Sequence, residues 1–224
     1  MAAKSNCNKR KHRIFIVDDH PILREGFAQL INHEPDLHVC GQAATAAKAL
    51  DALGTLKPDL AILDISLNGT SGIELIKNIH ARGSGQLMLA LSMHDESIHG
   101  ERALRAGARG YVMKNEPTGE IMSAIRLVLR GEIYLSQHLR SLVVEKFLHN
   151  ESSPGRLGVE QLSDRELEVF ELIGNGRKTR QIAAQLHLSI KTVETYRAHI
   201  KEKLRLKDGM ELIRHAVRWT SNQP

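Results

Sequence analysis

Between Ile14 and Arg130 the chain alternates short apolar runs with amphipathic stretches. Ile14-Phe15-Ile16-Val17, Leu60-Ala61-Ile62-Leu63 and Leu87 to Leu91 are continuous apolar runs, the pattern of strands buried on both faces. Leu37 to Ala43 is a weaker strand and Gly110 to Met113 a short one. Pro21 to Ile31, Thr45 to Leu53, Ser71 to His80, Ser97 to Ala106 and Thr118 to Arg130 read as helices. Pro21 suits a first helical turn, and Gly107 and Gly131 suit C-caps. Five strand–helix units in succession predict an α/β fold, with a doubly wound, five-stranded parallel sheet covered on both faces.

The rhythm changes after Arg130. Glu145 to Asn150 extends a helix, and Glu151-Ser152-Ser153-Pro154-Gly155 has linker composition. From Glu160 onward the pattern is helical, broken at Gly174-Asn175-Gly176, at Leu188-Ser189 and at Lys207-Asp208-Gly209. The expected division is a disordered basic tail over 1–11, an α/β domain over 12–130, a partly helical linker over 131–159 and a small all-α domain over 160–224.

Charge separates the two domains. Residues 14–130 carry 11 basic and 14 acidic groups, whereas Arg177 to Lys207 carries nine basic and two acidic ones. An acidic body followed by a compact basic patch points to nucleic-acid contact at the C-terminal end, which the helix-turn-helix described below narrows to double-stranded DNA. A solvated helix face is the alternative for such a charge run. No apolar run is long enough to span a membrane, and the first thirteen residues lack the apolar centre of a secretory signal. Cys7 and Cys40 are the only cysteines, which suggests a reduced, cytoplasmic setting without a disulfide.

Chemistry-bearing residues fall at strand ends. Asp18 and Asp19 follow the first strand, Asp64 the third, Ser92 the fourth and Lys114 the fifth. A parallel sheet gathers these ends on one edge, where ligands bind. Three converging carboxylates repel one another and need a cation. Hard oxygen donors suit Mg2+, beside which a carboxylate can act as nucleophile toward a phosphoryl group. Lys114 and Ser92 are of the types that hold phosphoryl oxygens. His20 either lines this pocket or faces solvent, and His94 and His99 read as surface residues.

Ile16-Val17-Asp18-Asp19-His20, Leu63-Asp64-Ile65-Ser66, Leu91-Ser92 and Gly110-Tyr111-Val112-Met113-Lys114 resemble the signature positions of receiver domains in two-component systems. The resemblance covers roughly residues 12–130 and implies a flavodoxin-like receiver fold. It implies phosphorylation of Asp64 and a Mg2+ held by Asp18, Asp19, Asp64 and the backbone carbonyl of Ser66. It further implies that Ser92 and Lys114 hold the phosphoryl group, that Tyr111 is an aromatic switch, and that a sensor histidine kinase is the partner. Asn68 stands where the family often has Pro, a departure that loosens the loop after Asp64 without removing a ligand.

Ser163 with Glu166 forms a capping-box signature before a helix reaching Ile173, and further helices follow from Arg177 to Leu186 and over about 190–206. On the last of these Val193, Tyr196, Ile200 and Leu204 share an inward face. Lys191, Glu194, Thr195 and Ala198 then lie outward near its start, where recognition helices meet base edges. Glu194 can accept from cytosine and Thr195 can touch a thymine methyl. Arg197, at the side, reaches a phosphate or a guanine. Lys178, Thr179, Arg180, Lys191, Thr192 and Lys201 suit phosphates.

Leu162 to Arg205 resembles the LuxR-type helix-turn-helix, through Gly174, Gly176, Ile182-Ala183, Thr192-Val193, Ile200 and Lys203-Leu204. The whole chain resembles the NarL/FixJ class of response regulators. That resemblance implies a transcription regulator that homodimerises on activation, with the helix over about Met210 to Trp219 as a dimerisation element, and that contacts RNA polymerase. It implies no enzyme beyond a slow autodephosphorylation. A Mg2+-dependent phosphohydrolase would need a second acid near Asp64, and Ile65 and Ser66 offer none. A constitutive DNA binder with a vestigial receiver is at odds with five intact pocket residues.

Overall fold

The computed structural model describes residues 10–67, 70–93, 96–149 and 158–221, and for 145–149 only the backbone. Cys7, Asn68, His94 and the Ser/Pro/Gly stretch after Asn150 lie outside the described residues. The chain divides into two compact units, 1–145 and 146–224.

In the first unit, β1 (His12–Val17), β2 (Leu37–Ala43), β3 (Leu60–Asp64), β6 (Leu87–Ser92) and β7 (Tyr111–Met113) form a parallel sheet ordered β2-β1-β3-β6-β7. Between them run α1 (Pro21–His33), α2 (Ala46–Leu56), α3 (Gly72–Ala81) and α4 (Glu96–Ala106), with α5 (Thr118–Leu129) after the last strand. Strand side chains alternate between two cores. Phe15, Val17, Ala61 and Leu63 pack with Ala49 of α2, Ile76 of α3 and Ala103 of α4. Ile14, Ile16, Leu60 and Ile62 pack with Phe27 and Ile31 of α1 and with Ile121 and Ile125 of α5. Every residue of β3 is buried, which is why its sequence is an unbroken apolar run closed by Asp64. The expected five-stranded, doubly wound sheet is therefore present.

Three features differ from the expectation. Ser66–Leu67 (β4) and Thr70–Ser71 (β5) pair as a two-residue antiparallel hairpin directly after Asp64. His99 is buried at 1% exposure rather than on the surface, because it shares the inner face of α4 with Ala103 and Ala106. Residues 131–144, placed in a linker by composition, pack on the first unit. Tyr134 bridges to Gly110, and α6 begins at Gln137 and runs to His149, well before Glu145. Leu139 of α6 is buried in the first core, against Gly100 of α4. Among the residues of α6 whose side chains are described, Leu139 is the one fully buried, while Leu142 is half-buried and Val143 and Val144 are exposed.

The second unit holds a 3-10 turn at Val159–Gln161, then α7 (Asp164–Gly174), α8 (Thr179–Gln185), α9 (Ile190–Lys203) and α10 (Gly209–Ser221). The capping box forms as expected. Ser163 Oγ accepts from the Glu166 N–H at 3.4 Å, and Glu166 Oε2 accepts from the Ser163 N–H at 2.7 Å. α8 starts two residues later than expected because Lys178 takes the N-cap position, its N–H bonded to Gln181 Oε1 at 2.9 Å. α9 stops at Lys203 because Arg205 adopts a left-handed backbone, φ +53°. Val193, Ile200, Ile182, Phe170 and Leu212 form the buried interior.

Candidate functional site

Sheet register assembles an acidic pocket. Val17 pairs with Leu63, so Asp18 leaves β1 beside Asp64. Asp64 pairs with Leu91, which puts Ser92 next along the edge, and Ser92 pairs with Met113, the neighbour of Lys114. The Lys114 N–H donates to the Ser92 carbonyl at 2.7 Å. Lys114 Nζ then lies 2.6 Å from Asp64 Oδ2 and 2.7 Å from Asp18 Oδ2, with its side chain almost wholly buried. Asp64 Oδ1 accepts from the Ser66 N–H at 3.1 Å. The His20 N–H donates to Asp18 Oδ1 at 2.7 Å, and Arg24 donates to the Asp18 carbonyl at 2.6 Å. Asp18, Asp19, Asp64 and His20 each present a ligand atom, all within 4.8 Å of one another.

Electrostatics in this pocket are unbalanced. Burial pushes the Asp64 carboxyl up to about 6; Lys114 opposes the rise, and the Asp18 carboxylate adds to it. Burial alone would lower the Lys114 ammonium, but Asp64 and Asp18 beside it raise it above its ordinary value. The Lys114 ammonium thus meets the Asp18 and Asp64 carboxylates, with Asp19 as a third acid in the same cluster.

Gly72 sets the far wall. Its N–H donates to the Ile65 carbonyl at 2.8 Å. A Cβ there would stand 2.0 Å from the Asp64 carbonyl oxygen and 2.6 Å from Ile65 Cα, so no other residue fits. Neither Gly72 nor Arg24 carries a motif; only their approach to Asp64 and Asp18 reveals a role. Of the remaining candidates, Ser92 is buried at the sheet edge and Ser66 starts the small hairpin. Tyr111 is fully buried in the first core, and His20 has an exposed side chain that nonetheless leans on the acids.

The second unit presents a different surface. α8 and α9 are joined through Leu186 to Ser189, and Ser189 caps α9, its Oγ accepting from the Thr192 N–H at 3.0 Å. The Thr192 hydroxyl lies 2.8 Å from Ser189 Oγ, so it takes part in the cap. Lys191, Glu194, Thr195 and Ala198 are exposed, as are Lys178 and Arg180, while Thr179, Arg197 and Lys201 are half-buried. The Thr195 hydroxyl donates to the Lys191 carbonyl at 3.0 Å. Arg197 Nε lies 3.8 Å from Glu194 Oε2, one turn back. Lys203 Nζ bonds Glu166 Oε2 at 2.6 Å and so ties α9 to the start of α7. Burial raises the Glu166 carboxyl, yet Lys203 and Ser163 together hold it below its ordinary value. On α10, Leu212 and Ala216 point inward, and Trp219 packs against Phe170 with ring centroids 5.5 Å apart and planes tilted by 59°. Met210, Ile213 and Val217 form an exposed stripe at i, i+3 and i+7. The structure thus divides the apolar residues of α10 between core and surface.

A parallel-sheet domain with carboxylates and a lysine at its strand ends, carried in one chain with a helix-turn-helix, defines the class of response regulators. The response regulator receiver domain model matches residues 14–126, and that of bacterial regulatory proteins of the luxR family matches residues 160–216. The chain belongs to the response regulators with a LuxR-type DNA-binding domain, which are transcription regulators of two-component systems. It is 35% identical over 214 residues to oxygen regulatory protein NreC of Staphylococcus carnosus (strain TM300), covering 92% of this chain and 97% of that protein. A LuxR-family two-component response regulator from Aurantimonas sp. SI85-9A1 shares 34% identity at a TM-score of 0.58, over 62% of this chain and 99% of that one. ChrA, the response regulator of a heme-sensing two component system, shares 27% identity at a TM-score of 0.51, over 93% and 97% of the two chains. Among the described residues no helix is long and apolar enough to cross a membrane.

Proposed function

We propose that Asp64 accepts a phosphoryl group and that this event switches DNA binding by α9. The observation that carries the reading is the Asp64 carboxylate itself, fixed by Lys114 and Ser66 beside two more carboxylates. A sensor histidine kinase or a small phosphodonor supplies the group. An Asp64 oxygen bonds to phosphorus as the bond to the donor's nitrogen or oxygen breaks, and slow hydrolysis later returns the carboxylate. Lys114 holds a phosphoryl oxygen by charge, and Ser92 at the neighbouring strand end offers a hydroxyl. Tyr111 responds as the strand end rearranges.

Three clustered carboxylates offer hard oxygen donors that suit a divalent cation. Asp18, Asp19, Asp64 and the Ser66 carbonyl would hold Mg2+, which when bound would offset the negative charge of the phosphoryl oxygens. The folded Asp64 carboxyl lies above its ordinary value near 3.8, so its contribution to stability is present below that pH and lost as pH rises through about 6. Added Mg2+ is therefore expected to raise the thermal midpoint at pH 7.5 and to change it little at pH 5, measured by circular dichroism.

Function divides along the chain into a receiver over 12–130 on which 131–144 pack, a connection reaching residue 159 and a DNA-binding domain over 160–224. Lys178, Thr179, Arg180, Lys191, Thr192 and Lys201 face phosphates, while Glu194, Thr195 and Ala198 meet base edges and Arg197 steadies Glu194. With its hydroxyl already bonded, Thr195 suits an apolar contact with a thymine methyl. Met210, Ile213 and Val217 suit a homodimer, which would set two recognition helices on half-sites. The setting is cytoplasmic, and RNA polymerase is a further partner.

Coupling between the domains runs through α4 and α6. Ser136 Oγ donates to Glu96 Oε1 at 2.5 Å, and Gly100 leaves room for Leu139. α4 follows Ser92 closely in sequence, and α6 leads toward the second domain. Gly100→Val should leave phosphorylation intact and cut the phosphorylation-dependent gain in DNA affinity by about tenfold, a coupling loss near 1.4 kcal/mol. The primary test is Mg2+-dependent acylphosphate formation at Asp64 from acetyl phosphate, located by mass spectrometry.

A further inference from the structure

At the end of the sheet opposite the acidic pocket, a cleft of about 440 Å³ opens between α2 and α3. Pockets that take small ligands run to about 300–1,000 Å³. Its apolar walls are Leu50 and Leu53 of α2, Ile79 of α3 and Leu87 at the start of β6. Gln86 closes the polar part of the floor, its Nε2 donating to the Pro58 and Leu87 carbonyls, both at 3.1 Å. Gly54 also lines the cleft, and a Cβ there would meet nothing within 4 Å. Lys57 and Arg82, the C-cap residues of α2 and α3, stand exposed on the rim.

Cations at helix C-termini commonly serve the last carbonyls. Here backbone N–H groups already do much of that. Lys57 donates to Leu53 at 3.1 Å, Arg82 to Ile79 at 3.3 Å and Gly83 to His80 at 3.0 Å. Arg82 Nη1 adds one bond to the Leu50 carbonyl at 3.1 Å, and among the described residues neither Arg82 nor Lys57 has a carboxylate partner. Asp59 is the one acid of the lining, and its Oδ2 already accepts the Arg13 N–H at 2.7 Å. Two cations against one engaged carboxylate leave one formal positive charge over.

We infer that this cleft binds a small amphipathic carboxylate, its apolar body between the two helices and its head on Arg82 and Lys57. A guanidinium pairs with both oxygens of a carboxylate through parallel N–H···O bonds. A singly charged head matches the excess charge, whereas a doubly charged phosphate ester would bring surplus negative charge to Asp59. β3 runs from beside Asp59 to Asp64, and α3 runs from Gly72, against the Asp64 carbonyl, to Ala81 at the cleft. The occupant therefore sits at the far ends of the two elements that fix Asp64, without touching the acidic pocket.

Octanoate is the probe, titrated into the full-length protein by calorimetry, with amide chemical shifts locating it. Saturable binding is expected, with shifts at Gly54, Lys57 and Gly85, and each methylene from hexanoate upward should tighten it about fourfold. Octylammonium, with the same chain and the opposite charge, should bind at least about tenfold more weakly. Arg82→Gln should weaken octanoate binding by about tenfold. Gly54→Leu fills the open space with a better helix former, so it should abolish binding without lowering the urea midpoint. If that variant folds poorly, the exposed Arg82→Gln still decides the matter. Octanoate that does not saturate, octylammonium that binds equally well, or Arg82→Gln that binds like the natural protein overturns the inference.

Discussion

Asp64→Asn will take no phosphoryl group from acetyl phosphate, and without metal at pH 7.5 it will melt at a higher temperature than the natural protein. Both effects have one cause. The carboxylate is the nucleophile, and an amide of the same shape cannot form the acylphosphate. At that pH the natural side chain is ionised in a site that pushes it up to about 6, so its charge opposes folding. The amide removes that charge while Lys114 keeps Asp18 at 2.7 Å, so no ammonium is stranded. The stability gain should vanish at pH 4, where the natural carboxyl is itself mostly protonated. Mass spectrometry reads the first effect and thermal unfolding at the two pH values reads the second. A variant that loses phosphorylation and stability together would mean that Asp64 is structural. Strain of this kind, where a site is stabilised less than its surroundings, is common where a group must react.

Gly72→Ala should be more damaging than any single pocket substitution. The added methyl would overlap the Asp64 carbonyl oxygen at 2.0 Å and lie 2.6 Å from Ile65 Cα, both backbone atoms that no rotamer change can move. Relief requires shifting the start of α3 or the turn after β3. Overpacking of this kind typically costs about 1–3 kcal/mol, and a backbone clash belongs at or above the upper end. Urea unfolding should show a midpoint well below that of the natural protein. The surviving folded fraction should bind Mg2+ weakly and accept phosphoryl slowly, because the Asp64 main chain has been displaced. Ala at the exposed Gly119, which has nothing within 4 Å, is the control and should change neither property.

The sheet and its acidic edge were legible because a parallel strand buried on both faces writes itself as an apolar run, and the residue after such a run must lie at the edge. Val17 before Asp18 and Leu63 before Asp64 are the clearest instances. The capping box of α7 was legible for a similar reason, since its partners are three residues apart. What escaped was long-range or one-sided. Lys203 and Glu166 meet across 37 positions and leave no local trace. His99 reads as a surface residue from its place near the loop after Ser92, but it lies on the buried face of α4 with Gly100, Ala103 and Ala106. α6 docks through Leu139 and the Ser136–Glu96 bond, whose partners on α4 lie far away in sequence. On α10 both stripes are apolar, so only packing separates Leu212 and Ala216 from Ile213 and Val217.

The central claim joins the pocket to α9, and the affinity of the full-length protein for DNA with and without a beryllofluoride phosphoryl mimic tests it most directly. The DNA should be a sequence selected from a random pool, with Asp64→Asn run in parallel. A switch predicts at least tenfold tighter binding with the mimic in the natural protein, a coupling of about 1.4 kcal/mol or more, and no change in the variant. Equal affinity with and without the mimic in the natural protein would contradict the account.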